Sequence, residues 1–263
     1  GRYAALINND AVADKSWLTN MVRTAEGDDG VGAVASAVID GNNPSMLDSF
    51  GVGVALDGMS RQARKGLPLP AEKEPIETIA FSGCGCLVRM DVLKETGLFD
   101  EDFFAYCEDT DLCLRIRRAG WKIVVDPMAV VTHFYSKTGG AQPLKKIFWV
   151  ERNHFLVALK NYPLSLIALL PFVTAWRFIV QFMALRKGAT MLGAYLEKTG
   201  VWQVVWSVLK AQFAVIALLP SISGKRLAFR PKRLIPMREM KKLIMRFRLP
   251  MNEIVTGNAA IQY

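Results

Sequence analysis

The stretch Tyr3-Ala4-Ala5-Leu6-Ile7-Asn8-Asn9-Asp10 opens the chain with five residues of strand character that stop abruptly at three polar ones. A short apolar run ending in Asn and Asp reads as a buried parallel-type strand that opens into a loop. The next residues continue the pattern. Asp14 is placed to cap a helix, Trp17, Leu18, Met21 and Val22 recur at helical spacing, and Gly27 with Asp28-Asp29-Gly30 stops that helix before a second apolar run over residues 31–39. Strand, loop, helix, strand predicts an α/β layer whose ligands gather at strand ends.

Farther along, residues 41–79 carry scattered Gly and Pro among charges, and 61–77 reads as a loop. Residues 81–88 form another apolar run, 91–96 a short helix closed by Gly97, and 108–119 a helix with Gly120 at its end. Two strands are expected over 122–125 and 129–134. From Leu144 onward the strand-like alternation disappears, and helical, apolar stretches separated by basic residues take over. These changes divide the chain into residues 1–140, a mixed α/β sheet domain, and residues 141–263, an all-helical region.

Charge follows the same division. Residues 1–140 hold 14 Lys/Arg against 20 Asp/Glu, a net of −6, whereas residues 141–263 hold 19 against 4, a net of +15, within an overall +9. With 51% hydrophobic and 22% charged residues the 263-residue chain is a folded protein. A basic, apolar half points to an anionic membrane surface as partner and away from nucleic acid, which calls for basic residues interleaved with exposed aromatics in a polar fold. Cys84, Cys86, Cys107 and Cys113 show no zinc-ligand spacing and read as buried free thiols.

Two acidic groups carry the chemistry. Asn8-Asn9-Asp10 offers one carboxylate and two amides at a strand end, where hard oxygen ligands reach a divalent cation on a diphosphate; a plain turn has the same composition. Glu108-Asp109-Thr110-Asp111 opens a helix, where the dipole favours negative charge by about 0.3–1 kcal/mol. Three acids in four residues, preceded by Asp100-Glu101-Asp102, exceed that need, so a nearby cation or an acceptor proton is expected. His133, at a strand end, suits a structural role or a metal ligand beside Asp10.

The ordered set Asn8-Asn9-Asp10, Asp14, Trp17-Leu18, Ser82-Gly83-Cys84-Gly85-Cys86-Leu87-Val88-Arg89, Gly97-Leu98-Phe99-Asp100-Glu101-Asp102-Phe103-Phe104, Glu108-Asp109-Thr110-Asp111-Leu112-Cys113-Leu114-Arg115 and Gly120-Trp121 resembles family-2 glycosyltransferases of the rhamnosyltransferase-like kind. The resemblance runs from residue 3 to about residue 163. It implies a GT-A fold, a nucleotide-diphosphate sugar donor, a divalent metal (Mg2+ or Mn2+) and inversion at the anomeric carbon. Asp10 would hold the metal on the donor diphosphate, with His133 as a further ligand, Asn9 nearby, and Asn8 in the first position of the family's D-x-D motif. Asp109, then Glu108, would serve as the base that activates the acceptor, and Gly83 and Gly85 would let backbone approach donor or acceptor. The family's first nucleotide-binding strands are expected upstream of residue 1.

In the second half, residues 164–185 form a mostly apolar run of 22 residues, about 33 Å as a helix, interrupted by Pro171, Arg177 and Gln181. Residues 201–219 are similar, with Lys210 near the middle. An arginine at a bilayer centre costs roughly 2.5–3.5 kcal/mol on insertion scales, so a pair of interfacial helices or a hairpin fits better than two spans, and a helical bundle packed on the first half is the soluble alternative. Basic residues flank both runs: Arg186-Lys187, Lys225-Arg226, Arg230, Lys232-Arg233 and the 237–248 stretch. The expectation is a membrane-associated glycosyltransferase at the cytoplasmic face, acting on a lipid-linked or glycan acceptor in cell-envelope synthesis. The alternative is a non-catalytic, membrane-tethered binding or assembly module that keeps part of the fold.

Overall fold

The computed structural model describes residues 1–134, 143–186, 196, 199–231 and 234–256. The boundary expected between residues 140 and 141, and the flanking Lys187, Lys232 and Arg233, lie outside these. A mixed sheet of seven strands runs in the order β1-β8-β3-β9-β2, with β4 added beside β3 and β7 beside β9. Its strands are β1 (Tyr3–Ile7), β2 (Ala11–Ala13), β3 (Val31–Asp40), β4 (Asn43–Phe50), β7 (Ile76–Thr78), β8 (Gly85–Arg89) and β9 (Lys122–His133), while β5 (Val52–Val54) and β6 (Ser60–Gln62) form a separate pair. β3 and β9 pair in parallel at the centre, and the other pairings are antiparallel. The fold is therefore the mixed α/β sheet, followed by helices, that the sequence predicts.

Strand alternation sorts the core into two layers. Ala33, Ala35, Ala37 and Ile39 of β3 face one cluster, while Val34 and Val38 face the other beneath α1 (Trp17–Gly27). Trp17 anchors α1 by donating its indole N–H to Ser36 Oγ of β3 at 2.8 Å. On the opposite layer lie α2 (Met90–Thr96), closed by Gly97 at φ +81, and α3 (Glu108–Arg118), which carries acids in its first turn and arginines in its last, as the helix dipole favours.

The two strands expected over 122–125 and 129–134 are one, β9, with a bulge where Asp126 pairs with Ser36 and Val130 with Ala37. The weak signals of 41–79 conceal β4 to β7. β4 begins exposed, with Asn43 and Pro44 among its first residues, which hides strand periodicity.

The helical half packs into the same core as the sheet. Leu156, Val157 and Tyr162 around α4 (Pro143–Asn161) join Leu166 of α5 (Leu164–Ile167), Leu170 of α6 (Leu170–Leu185), Val215 and Ile222 of α7 (Val201–Ala228), and Met240 and Ile244 of α8 (Met237–Arg246) in the larger cluster. A last helix, α9, spans Met251–Thr256. α7 lies alongside α4 in parallel: Ser207 Oγ donates to Leu144 O at 2.9 Å near one end, and Arg226 donates to Leu159 O at 2.9 Å near the other.

Opposite charges of the two halves meet across this contact. Lys160 binds Asp100 and Asp111 at 2.5 and 2.9 Å, and Lys225 binds Asp100 and Asp102 at 2.5 and 2.6 Å. Arg177, the interruption in the apolar run, is fully buried against Asp57 at 2.8 Å and Glu151 at 2.7 Å. Part of the basic excess therefore neutralises the acidic half, and α6 is fastened to the sheet side by its arginine.

Away from these contacts the helices expose an apolar face. Phe172, Trp176, Ile179 and Phe182 of α6 and Trp202, Trp206, Phe213 and Ile216 of α7 are all exposed. Among the described residues α7 is the one helix long and apolar enough to cross a membrane.

Candidate active site

β1 and β8 are antiparallel, with Ile7 opposite Gly85, so the chain leaving β1 and the loop entering β8 meet at one end of the sheet. Asn8 N–H donates to Cys84 O at 3.1 Å there. β9 ends at the same place, where His133 is opposite Ala11 of β2 and Asp40 of β3. The first turn of α3 completes the site.

A cavity of about 420 Å3 is lined by Asn8, Gly83, Glu108 and Asp109, with Arg61 and Lys146 among its other walls. Asp109 is held firmly. Its Oδ2 accepts the Gly83 N–H at 3.1 Å and its Oδ1 accepts the Thr110 N–H at 2.7 Å. Burial raises its pKa against these hydrogen bonds. Glu108 differs, because its Oε2 is buried with no hydrogen-bond partner. Burial, then the neighbouring Asp109 charge, pushes the Glu108 carboxyl up to about 7. Two adjacent carboxylates with elevated proton affinity in a cleft are suited to accepting a proton from a bound hydroxyl.

The backbone that presents this pair is strained. Phe104, Tyr106 and Cys107 have φ of 59, 67 and 67°, a left-handed conformation that non-glycine residues rarely adopt. α4 clamps it. Asn153 Nδ2 lies 2.9, 2.7 and 2.6 Å from the carbonyls of Phe103, Ala105 and Tyr106, and Arg152 donates to Phe103 O at 2.9 Å. Asp111 lies apart from the cavity, fully buried, with Arg115, Lys160 and Asn161 as partners at 2.9, 2.9 and 2.8 Å. The cation expected to relieve the acidic run is thus supplied in part by Lys160 and Lys225, which hold the Asp100 carboxyl down to about 2 against the effect of its burial.

Asp10 and His133 come together beside this cavity. His133 Nε2 is 3.3 Å from Asp10 Oδ1, and His133 Nδ1 is 3.0 Å from Asp48 Oδ2. Burial and the charges of Asp48 and Asp10 push the Cys84 thiol, on the cavity wall, up to about 12. Among the described residues no three acidic, His or Cys side chains form a metal-binding group. The pair would fit a shared cation in the tautomer that gives Nδ1–H to Asp48, because Nε2 and the Asp10 carboxylate would then both offer lone pairs to the ion. Asn9 is exposed and outside the cavity lining. Gly85 is buried in β8, and a Cβ there would lie 2.7 Å from Ser36 Oγ, so its missing side chain makes room for the Trp17–Ser36 contact.

Sequence reasoning did not find Asp48, Arg61, Lys146, Arg152 or Asn153. Asp48 lies in a strand hidden by weak periodicity, and the others reach the site only through the docking of α4 or the β5–β6 pair. All four cysteines are free.

Comparison with known proteins gives the family. The curated L-rhamnosyltransferases named N-acetylglucosaminyl-diphospho-decaprenol L-rhamnosyltransferase, from Mycobacterium tuberculosis strains CDC 1551 / Oshkosh and ATCC 25618 / H37Rv, are each 42% identical over 63 residues, which is 24% of this chain. The matched segment spans 20% of the length of those relatives. Among solved structures, GalNAc-T7 with UDP, GalNAc and Mn2+ is 17% identical at a TM-score of 0.47, covering 61% of this chain and 32% of that one. The mannosyltransferase PcManGT from Pyrobaculum calidifontis, in complex with GDP-Man and Mn2+, is 18% identical at 0.42, covering 87% and 63%. The model of glycosyltransferase like family 2 matches residues 1–153, more than half of the chain, and the chain belongs to that family.

Proposed function

We propose that this chain belongs to an inverting glycosyltransferase of GT-A type, which moves a sugar from a nucleotide-diphosphate donor to a lipid-linked acceptor during cell-envelope glycan synthesis. The observation that carries this reading is the cavity in which Asp109 and Glu108 converge, both with raised proton affinity. The L-rhamnosyltransferase relatives, whose name contains a diphospho-decaprenol, support a deoxyhexose donor and a lipid diphosphate acceptor.

In the proposed reaction an acceptor hydroxyl enters the cavity and hydrogen-bonds to Asp109, whose carboxylate Gly83 and Thr110 hold in place. The oxygen attacks the anomeric carbon from the face opposite the diphosphate. The new C–O bond forms as the sugar–phosphate bond breaks, the proton passes to Asp109, and the nucleoside diphosphate leaves with the bonding pair. Glu108, when charged beside Asp109, strengthens Asp109 as a base. Asp10 and His133 are the residues that would hold a divalent cation, Mg2+ or Mn2+, which when bound stabilises charge on the departing diphosphate.

The membrane enters this reading as a surface. α7 is bound along α4 near both ends and α6 through Arg177, so each helix turns only its outer, Trp-bearing face outward. That pattern suits helices lying in the headgroup region at the cytoplasmic face, with exposed Arg238 and Lys241 near anionic lipid.

The test uses full-length protein in detergent with Mn2+, a panel of nucleotide sugars and a polyprenyl-diphosphate-linked N-acetylglucosamine. Transfer with inverted anomeric configuration, read by NMR of the product, is expected. Neither transfer nor donor hydrolysis with any pair would overturn the enzyme and favour the binding-module alternative.

A further inference from the structure

The Asp109 cavity has a neighbour. Four of its wall residues, Met59, Arg61, Lys146 and Val150, also line a second cavity of about 370 Å3 between α4, α6 and α7. Most of the remaining wall is apolar, with Phe178 and Phe182 from α6 and Val205 and Leu209 from α7. These four side chains are 38, 63, 40 and 45% exposed, so the second cavity opens through the outward apolar face of the two helices. Its acidic wall residue, Glu151, is already neutralised by Arg177.

The shared wall is cationic. Lys146 sits over the Tyr106 ring, 5.6 Å from its centroid. Burial, then the positive charges of Arg61 and Lys65, holds its pKa below the ordinary lysine value. Arg61, which also donates to Ile254 O at 3.0 Å, and Lys146 set two like charges on this wall, and an anion bound between them would relieve their repulsion. From the outside inward the walls therefore run apolar, cationic and acidic. A hydrocarbon chain, its diphosphate and the sugar hydroxyl beyond it follow the same order.

We propose that the second cavity is the acceptor's entry channel: the hydrocarbon chain lies between α6 and α7, its diphosphate rests on Arg61 and Lys146, and the sugar it carries reaches Asp109. The assignment rests on the reading of the Asp109 cavity as a glycosyl-transfer site. It makes the helical half part of the substrate site as well as a membrane contact.

Two acceptors bearing the same sugar diphosphate, one on a long polyprenyl chain and one on a short soluble chain, test it with full-length protein. Val205→Trp, which fills the channel, raises the long-chain KM relative to the short-chain KM by on the order of tenfold. Lys146→Gln raises KM for both acceptors and leaves donor KM in place. An unchanged long-to-short ratio in Val205→Trp, or a shift of donor KM alone in Lys146→Gln, overturns the channel. A photoreactive polyprenyl diphosphate without sugar provides a second measurement. Labelling of α6 and α7 in wild type that falls in Val205→Trp supports the channel, and equal labelling overturns it. If wild type is labelled yet transfers to neither acceptor, the channel stands and the enzyme reading fails.

Discussion

Asp109 Oδ2 accepts the backbone N–H of Gly83 at 3.1 Å, tying the first turn of α3 to the loop that enters β8. The neighbouring Glu108 has a buried oxygen with no such tie. One carboxylate is therefore positioned by the fold and the other is left with a poorly solvated charge.

That difference has a stability signature. The folded-state pKa of Glu108 is raised from 4.5 to about 7, so its contribution is fully present below the unfolded value and declines as pH rises toward about 7. Glu108→Gln removes the decline. Thermal melts are expected to show the variant more stable than wild type above about pH 7, with the difference vanishing near about pH 4.

Gly83 and Gly85 are expected to part company on substitution. A Cβ at Gly83 would meet Asp109 at 3.8 Å, an ordinary contact, so Gly83→Ala leaves the melting temperature nearly unchanged while it narrows the cavity. A Cβ at Gly85 would press on Ser36 Oγ and Val131, and Gly85→Ala is expected to destabilise by about 1–3 kcal/mol in denaturant unfolding.

Arg177 offers a test of how α6 is held. Arg177→Met strands the Asp57 and Glu151 carboxylates, which should cost about 3–5 kcal/mol by denaturant unfolding. Adding Asp57→Asn and Glu151→Gln should return much of that loss. An Arg177→Met variant as stable as wild type would argue that α6 does not dock this way.

Asp48 orients His133, so Asp48→Asn is expected to weaken Mn2+ binding in the presence of donor by about 10–100-fold, less than His133→Ala does. Titration followed by electron paramagnetic resonance measures this, and stripping the metal with chelator should reduce transfer in wild type.

How much of this was readable in the chain depends on the range of the contacts. β1, α1, β3, α2 and α3 declare themselves locally, through apolar runs, helical spacing and Gly97 or Gly120 at helix ends. β4 to β7 do not, because Pro44 and the exposed start of β4 break the alternation. Glu108, Asp109, Asn8 and Gly83 were legible as a motif, and the structure brings them to one cavity, with Asp10 and His133 alongside. Arg177 looked like a flaw in a membrane segment, since its partners Asp57 and Glu151 are 120 and 26 residues away in the chain. Asn153 shows no motif at all, because its role is set by the carbonyls of a strained turn 47 to 50 residues earlier.

In the proposed mechanism Asp109 takes the acceptor's proton while Glu108 tunes it. Steady-state transfer by full-length wild type, Asp109→Asn and Glu108→Gln, measured at pH values on both sides of about 7, tests it most directly. Asp109→Asn is expected to lose kcat roughly 10²–10⁴-fold at every pH, and Glu108→Gln to show a smaller loss together with disappearance of the wild-type rise through about 7. Equal transfer by wild type and Asp109→Asn would contradict it.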